Sequence, residues 1–222
     1  MNKETKIYKL YLKLLGKYGA PKDFWKNWCK EKKTTKDREK IAFGAILTQR
    51  VSWLNVEKAL ANLKKENVLS VEGIYCLGKN DINNLEKLLR PSGFYKQKAK
   101  KIFQFCNFII KNHSGLENFL NQDLKICREQ LLTLRGIGPE TADSILLYAG
   151  DKPVFVIDEY TRRFVKKYNI TKEFCYDYLQ NLFQQNLPRD AKVYQNFHAM
   201  IVLDGKGTDW DLVSKFNLQK LI

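Results

Sequence analysis

The sequence predicts an all-α fold made of two helical domains. Apolar residues recur at helical spacing along nearly all of the 222 residues, and hydrophobic residues make up 44% of the chain. The alternation of a half-buried strand is scarce, and no Gly-rich hairpin signals recur. The length suits one large domain or two small ones. We assign residues 40–150 to one helical domain and residues 1–39 together with 151–222 to the other.

The first half of the chain contains helices separated by clear breaks. A helix over residues 4–18 places lysines opposite an apolar face, and Ala20-Pro21 ends it. Residues 41–48 are almost entirely apolar but too short to span a membrane, which predicts a buried helix. Apolar periodicity predicts further helices through Val56, Leu60 and Leu63, over residues 71–77 and over residues 82–89, before a break at residues 90–95.

A long basic helix is predicted over residues 96–111, where lysines, including Lys98, accompany an apolar face. Two interpretations are open for these lysines. They contact the phosphates of a nucleic acid, or they form an ordinary solvated face.

Residues 131–148 predict two helices joined by a tight turn. Gly136 and Gly138 flank Ile137 in this turn, and Pro139 follows where the first residue of a helix belongs. Two glycines permit unusual dihedrals and a close approach of the backbone to another molecule. Free N–H groups at the start of the second helix suit a phosphate. This pattern predicts a hairpin that contacts DNA.

Asp158 follows an apolar run at residues 154–157, which predicts a buried extended segment ending at a helix over residues 159–167. The carboxylate is the N-cap of that helix, or a catalytic group that its apolar neighbours keep partly dry. The two roles are compatible. Two more helices are predicted over residues 173–186 and 189–203.

The composition favours a polyanionic partner, since 39 Lys and Arg against 24 Asp and Glu give a net charge of +15. A general bias of the proteome towards lysine is the alternative. No apolar run reaches the length of a membrane span and no signal peptide is evident, so we expect a cytoplasmic protein without membrane contact. The five cysteines are scattered, which predicts free, buried thiols, and two histidines give little support to a zinc site.

The residues of the hairpin, 134–143, followed by residues 154–158, resemble the helix-hairpin-helix DNA glycosylases of the endonuclease III superfamily. Residues 44–49 resemble the buried helix of that family, which ends in a Gln facing DNA, and residues 90–95 resemble its next turn. The resemblance covers roughly residues 20–205. It implies two helical domains with an active-site cleft between them, and a monomer that binds double-stranded DNA with a damaged base.

Two departures from the family pattern narrow the resemblance. Bifunctional members carry a nucleophilic Lys just after the hairpin, where this chain has Glu140, and a carboxylate cannot form a Schiff base. Many members hold an iron–sulfur cluster with four cysteines near the C-terminus, but no cysteine follows Cys175, so we expect no cluster. The chain is similar in both respects to the bacterial 3-methyladenine glycosylases and the endonuclease III-related proteins.

The resemblance also implies the site residues. Asp158 is the expected catalytic residue, and the aromatic side chains of Phe24, Trp25 and Trp53 are expected to line the base pocket, although core packing is the usual role of such residues. The hairpin is expected to hold a structural Na⁺ or K⁺ through the carbonyls of Leu132, Leu134 and Ile137. The expected DNA-binding residues are Gln49, Arg50, Gly136, Ile137, Gly138, Glu140 and Thr141.

We therefore expect a monofunctional DNA glycosylase that removes a flipped damaged base, most simply an alkylated purine such as 3-methyladenine. An alkylated purine carries a positive charge that weakens its glycosidic bond and attracts it to aromatic faces. The alternatives are a glycosylase for an oxidised or mismatched base, with or without abasic-site lyase activity through another lysine, and a non-catalytic protein that binds damaged DNA.

Overall fold

The computed structural model describes residues 5–207, apart from the side chains of Asp23 and Phe24, and it confirms an all-α fold. None of the described residues lies in a strand, and none of the described helices is long and apolar enough to cross a bilayer. The helices are α1 (Lys6–Tyr18), α2 (Asp23–Trp28), α3 (Thr35–Leu47), α4 (Trp53–Lys65), α5 (Val71–Asn80), α6 (Ile82–Leu89), α7 (Tyr95–His113), α8 (Leu116–Leu120), α9 (Leu124–Leu132), α10 (Pro139–Ser144), α11 (Glu159–Lys167), α12 (Tyr176–Gln185) and α13 (Ala191–Lys206).

The chain forms two compact units, one of residues 1–31 and 151–222 and the other of residues 32–150. The boundary predicted at residue 40 falls inside α3, so residues 32–39 belong to the second unit instead of the first. The reason is local. Thr34 and Asp37 form a capping box that starts α3 well before its apolar stretch.

The second unit is built around α3, whose residues 41–47 are all buried, as the apolar run predicts. This helix packs against α4, α7 and a π-helical segment, Ile145–Ala149, that continues α10. A 3₁₀ turn, Arg90–Ser92, connects α6 to α7. The residues predicted to bind DNA lie just after α3, in the turn between α9 and α10, and in the first turn of α10.

The first unit is built around α13, which packs against α1 and α11. Residues 154–157 are buried and extended, as predicted, although they pair with no strand. Side-chain amides replace the strand partner, since Phe155 N–H donates to Gln184 Oε1 at 3.0 Å and Gln180 Nε2 donates to the Phe155 carbonyl at 2.7 Å. The segment therefore delivers Asp158 to the start of α11 from a fixed direction.

Candidate functional site

The turn between α9 and α10 requires glycine at position 136 for two reasons. The φ of Gly136 is +86°, in the region that side chains disfavour. A Cβ on this residue would also lie 2.4 Å from Cε of Lys101, whose side chain crosses the turn. Pro139 begins α10, as the sequence predicts.

Gly138 does not share these constraints. Its φ of −91° and ψ of 179° describe extended backbone that any residue adopts, and its Cβ position is open. Of the two glycines, which permit unusual dihedrals, only Gly136 adopts them, and Gly138 is the N-cap of α10. Glu140 is exposed in the first turn of that helix, where an acidic side chain suits the helix dipole.

Two of the residues predicted to bind DNA have buried side chains. Ile137 is 4% exposed and Thr141 is 7% exposed, so their contacts to DNA would come from the backbone. The carbonyl of Leu134 accepts a hydrogen bond from Ile137 N–H at 3.0 Å. A carbonyl oxygen has two lone pairs, so this bond leaves capacity for the predicted cation at Leu132, Leu134 and Ile137.

An ion pair with a fully buried carboxylate connects the two helices of the hairpin. Arg128 on α9 donates through Nε to Asp143 Oδ1 at 2.7 Å and through Nη2 to Asp143 Oδ2 at 3.2 Å. The Asp143 side chain is fully buried. The bidentate geometry fixes the angle between α9 and α10, and therefore the shape of the turn.

Gln49 lies against this hairpin, just after the end of α3. Its Nε2 donates to the Gly136 carbonyl at 3.1 Å and to Thr141 Oγ1 at 2.9 Å. Its Oε1 accepts from Lys101 Nζ at 2.5 Å. The predicted DNA-facing Gln is thus connected to the hairpin and to α7 within one unit.

Positive charge collects beside Gln49. Arg50 is exposed and has a φ of +56°, so the chain reverses sharply at this point. Partial burial lowers the pKa of Lys101, and the nearby Arg50 guanidinium lowers it further. Two cations close enough to interact form a favourable location for a phosphate.

Phe94 is a residue that the sequence analysis did not single out. It is 61% exposed and has a left-handed conformation, with φ 47° and ψ 30°. An exposed aromatic side chain in left-handed backbone is unusual, and it makes Phe94 a candidate functional residue. The signal available in the sequence was its place directly after Gly93 in a break before a basic helix.

The aromatic residues predicted to line a base pocket fall in different units. Trp25 is in the first unit and is 7% exposed, whereas Trp53 begins α4 in the second unit and is half-buried. The side chain of Phe24 lies outside the described residues. A shared role of these three residues stays a prediction.

Asp158 is both an N-cap and a partly open carboxylate. Its Oδ1 accepts from Thr161 N–H at 2.7 Å and from Thr161 Oγ1 at 2.9 Å, which confirms the capping role. Its Oδ2 lies 3.4 Å from His198 Nε2, and its side chain is 15% exposed. Burial acts to raise the pKa of this carboxyl, but His198 and the two Thr161 donors more than offset burial, so the pKa lies below the ordinary Asp value.

His198 on α13 connects Asp158 to an aromatic residue. Its ring lies edge-on to Trp25, with ring centroids 6.1 Å apart. Its side chain is 6% exposed. The sequence analysis did not pair His198 with Asp158, because 40 residues separate them and no local pattern connects them.

Lys206, at the end of α13, is a basic residue on which the Asp158 carboxylate acts. Partial burial lowers the pKa of its ammonium group, and the Asp158 carboxylate partly offsets that effect. The residue as a whole remains exposed, so solvent weakens both influences.

Within residues 5–207, no group of three or more His, Cys, Asp or Glu is arranged to hold a metal ion. The five cysteines are free, as predicted. Cys76 and Cys175 are exposed, however, so the expectation of buried thiols is wrong for these two, which lie on the outer faces of their segments.

Three comparisons relate the chain to known proteins. Residues 43–189 match a family model described as "HhH-GPD superfamily base excision DNA repair protein". A Methanocaldococcus jannaschii protein named "Putative DNA repair glycosylase" is 41% identical over 204 residues, which are 90% of this chain and 87% of that protein. Endonuclease III of Thermotoga maritima is 25% identical over 69% of this chain and 67% of its own length.

Solved structures share the fold. The H. pylori 3-methyladenine DNA glycosylase MagIII, bound to 1,N6-ethenoadenine, superimposes with a TM-score of 0.74 and 29% identity, covering 92% of this chain and all of that chain. A trapped covalent complex of endonuclease III with DNA superimposes with a TM-score of 0.71 and 16% identity, covering 91% and 85% of the two chains. At that identity the second likeness shows the fold alone.

Proposed function

Because this chain belongs to the HhH-GPD superfamily of base excision DNA repair proteins and is a DNA repair glycosylase, we propose that it is monofunctional and hydrolyses the glycosidic bond of an alkylated purine such as 3-methyladenine. The observation that carries the proposal is the carboxylate of Asp158, which is held by Thr161 on one oxygen and faces His198 with the other.

Asp158 is proposed as the catalytic residue. Its lowered pKa keeps it ionised at neutral pH, so it presents a fixed negative charge to the oxocarbenium-like sugar that forms as the base leaves. The apolar run before it restricts water, which strengthens this electrostatic effect. Oδ2 is the oxygen proposed to stabilise the sugar or to accept a proton from the attacking water, because Oδ1 caps α11.

Glu140 supports a hydrolytic reaction. It occupies the position just after the hairpin where lyase members of the family carry a nucleophilic lysine. A carboxylate cannot form a Schiff base with the deoxyribose, so water is the expected nucleophile.

An alkylated purine is the proposed substrate for a chemical reason. Its positive charge makes it a good leaving group, so modest catalysis suffices, and it is attracted to aromatic faces such as the half-buried ring of Trp53. The likeness to a 3-methyladenine glycosylase at 29% identity supports this substrate class.

The damaged base must leave the duplex before its glycosidic bond can be hydrolysed, and the second unit is proposed to extract it. The turn at Gly136 and the cations of Arg50 and Lys101 are proposed to hold the backbone phosphates. Gln49 is proposed to fill the gap left by the flipped base, and the exposed ring of Phe94 to wedge between neighbouring bases.

Release of free bases from DNA tests the proposal. Wild-type protein is incubated with DNA methylated at random and with duplexes containing 8-oxoguanine or a G·T mismatch, beside Asp158→Asn. We expect release of 3-methyladenine or 7-methylguanine by the wild type and a loss of activity of about 10²-fold or more in Asp158→Asn, in which the Asn still caps α11.

Other outcomes would contradict parts of the proposal. Release only from the duplexes with 8-oxoguanine or a G·T mismatch would show that the substrate is an oxidised or mismatched base. Full activity in Asp158→Asn would remove its catalytic role, and no release at all would favour a non-catalytic binding protein.

A lyase reaction through Lys206 is the second candidate function, favoured by its lowered pKa and its proximity to Asp158. A partly desolvated amine is a better nucleophile at neutral pH than an ordinary lysine. Borohydride trapping on abasic DNA distinguishes the two candidates. Lys172 is an exposed lysine of the same unit, so Lys172→Met is the control. A covalent adduct that is lost in Lys206→Met but persists in Lys172→Met would establish the lyase activity and contradict the monofunctional proposal.

A further inference from the structure

Lys98 fits neither of the two interpretations given for the lysines of the basic helix, which is α7. It is 2% exposed, so it is neither part of a solvated face nor available to a phosphate. Its position explains the burial, since Lys98 falls on the same helical stripe as Ile102, Phe105 and Ile109, all of which are fully buried. The position of Lys98 at the end of this apolar stripe is the feature of the sequence that indicates its burial.

The ammonium group of Lys98 joins two segments that are far apart in the chain. Nζ donates to the carbonyl of Leu47 at 2.8 Å and to the carbonyl of Ser92 at 2.5 Å. Leu47 is the last residue of α3, where helix carbonyls lack partners within the helix, and Ser92 is the last residue of the 3₁₀ turn. Lys98 therefore caps both elements at once.

Each of these carbonyls lies two residues before a residue that is proposed to enter the duplex, Gln49 or Phe94, and we call the segments around these two residues the tips. Gln49 is two residues after Leu47, and Phe94 is two residues after Ser92. Both tips have left-handed backbone, at Arg50 in the first and at Phe94 itself in the second. The backbone N–H of Lys98 also donates to the Phe94 carbonyl at 3.0 Å. One residue thus contacts the base of both tips.

The location of this cation is costly. Burial lowers the pKa of Lys98 to about 8, and the nearby cation of Lys101 lowers it further. Among the described residues, Lys101 is the one charged group that acts on this pKa, and it repels. A methionine would fill the same space without that cost, but it could not donate to two carbonyls. What lysine provides here is the pair of donors.

We propose that Lys98 is a positioning residue that sets the spacing of the Gln49 and Phe94 tips, so that both enter the duplex together when a base is flipped. This inference rests on the proposed function of the two tips. It assigns to Lys98 no contact with DNA or with the reacting atoms. It predicts that loss of Lys98 impairs base extraction and leaves the chemistry at Asp158 intact.

The test compares substrates that differ only in the need for extraction. Lys98→Met is assayed in single turnover on a lesion in a duplex and on the same lesion in an unpaired loop. We expect a loss of about tenfold on the duplex and little change on the loop, because misplacement of positioning groups slows the step that they serve. Lys87→Met, which removes an exposed charge from α6 in the same unit, is the matched control and should retain both rates.

A second readout does not depend on the substrate. Each variant is bound to a duplex with a tetrahydrofuran abasic analogue opposite 2-aminopurine, whose fluorescence rises when the tips unstack it. We expect this rise to fall to about half or less in Lys98→Met and to persist in Lys87→Met. If the wild type releases no base, the proposed function fails, while this fluorescence still decides the role of Lys98.

Two results would overturn the inference. One is a folded Lys98→Met with the fluorescence rise of the wild type. The other is an equal loss on duplex and loop, which indicates general damage to the structure. Circular dichroism checks the fold. If Lys98→Met does not fold, Lys98→Gln takes its place, because its shorter side chain is expected to reach at most one of the two carbonyls, and it is judged by the same ratio of rates.

Discussion

Asp158 Oδ2 lies 3.4 Å from His198 Nε2, while Asp158 Oδ1 is held by the backbone and hydroxyl of Thr161. The two oxygens of one carboxylate therefore have different environments. The cap fixes the direction of the carboxylate, and the imidazole keeps its pKa low in a buried location. This division reconciles the structural role of Asp158 with the proposed catalytic one.

Replacement of His198 should shift the acid limb of the pH–rate profile to higher pH. Burial alone raises the pKa of Asp158, and His198 is the largest influence that lowers it, so His198→Asn should raise that pKa. Activity then begins to fall at a higher pH than in the wild type. A lowered pKa in the folded state also means that the carboxylate stabilises the fold above the ordinary Asp pKa and loses this contribution as the pH falls. In His198→Asn we expect that contribution to shrink.

The pH dependence of the single-turnover rate measures this shift. His113→Asn is the control, because His113 lies in the second unit and contacts Gln122. An acid limb at the same pH in His198→Asn and in the wild type would show that His198 does not set the pKa of the group that limits the rate.

The two glycines of the hairpin should respond differently to alanine. Gly136→Ala places a Cβ at a φ of +86° and 2.4 Å from Lys101, which must move away from Gln49. We expect a loss of about 1–3 kcal/mol in the free energy of unfolding and weaker binding to duplex DNA. Gly138→Ala has ordinary dihedrals and open space, so it should cost well under about 1 kcal/mol as an N-cap change. Urea unfolding compares the two, and equal losses would contradict the assignment of the strained position.

The ion pair of Arg128 and Asp143 should be important for stability. Asp143→Asn removes the negative charge from a fully buried position, while the side chain of Arg128 is 26% exposed, so we expect a loss of about 1–3 kcal/mol. The matched control is Glu129→Gln on α9, which breaks an exposed pair with Lys125 and should cost about 0.5 kcal/mol or less. Both values come from urea unfolding. A loss in Asp143→Asn no larger than in the control would show that packing alone holds the hairpin.

Lys98 should make the free energy of unfolding depend on pH between about 8 and 10.5. In this range the unfolded chain keeps the lysine charged while the folded chain releases its proton, so stability rises with pH. The lowered pKa corresponds to about 3 kcal/mol. Tyrosines and cysteines also titrate here, so the quantity measured is the difference between wild type and Lys98→Met. A difference that is constant from pH 7 to 10.5 would contradict the lowered pKa.

The neutral amine still has two N–H donors for the carbonyls of Leu47 and Ser92. Deprotonation alone should therefore leave the two tips in position, and the fluorescence rise of the wild type with 2-aminopurine should be similar at pH 7 and pH 9. A large loss at pH 9 that is absent from Lys98→Met, in which Lys101 still titrates, would mean that the charge of Lys98, and not its hydrogen bonds, holds the tips.

The sequence by itself determined the features that depend on neighbouring residues. Apolar periodicity predicted most of the helices, although not α2 or α8, Pro139 predicted the start of α10, and the apolar run before Asp158 predicted a buried extended segment. These follow from local dihedral preferences and from spacing along a helix. The same reasoning placed one domain boundary too late, because the capping box before α3 lies within a run of charges.

Only the tertiary structure decided which distant groups meet. Gln49 contacts the Gly136 carbonyl across 87 positions, and Lys98 reaches the carbonyl of Leu47 across 51. His198 becomes the partner of Asp158 by packing of α13 and not by any local pattern. Such contacts depend on how helices pack, and packing is specified by many side chains together. For that reason a lysine at one position of a basic helix is solvated or buried according to its neighbours in space, which the order of residues alone does not reveal.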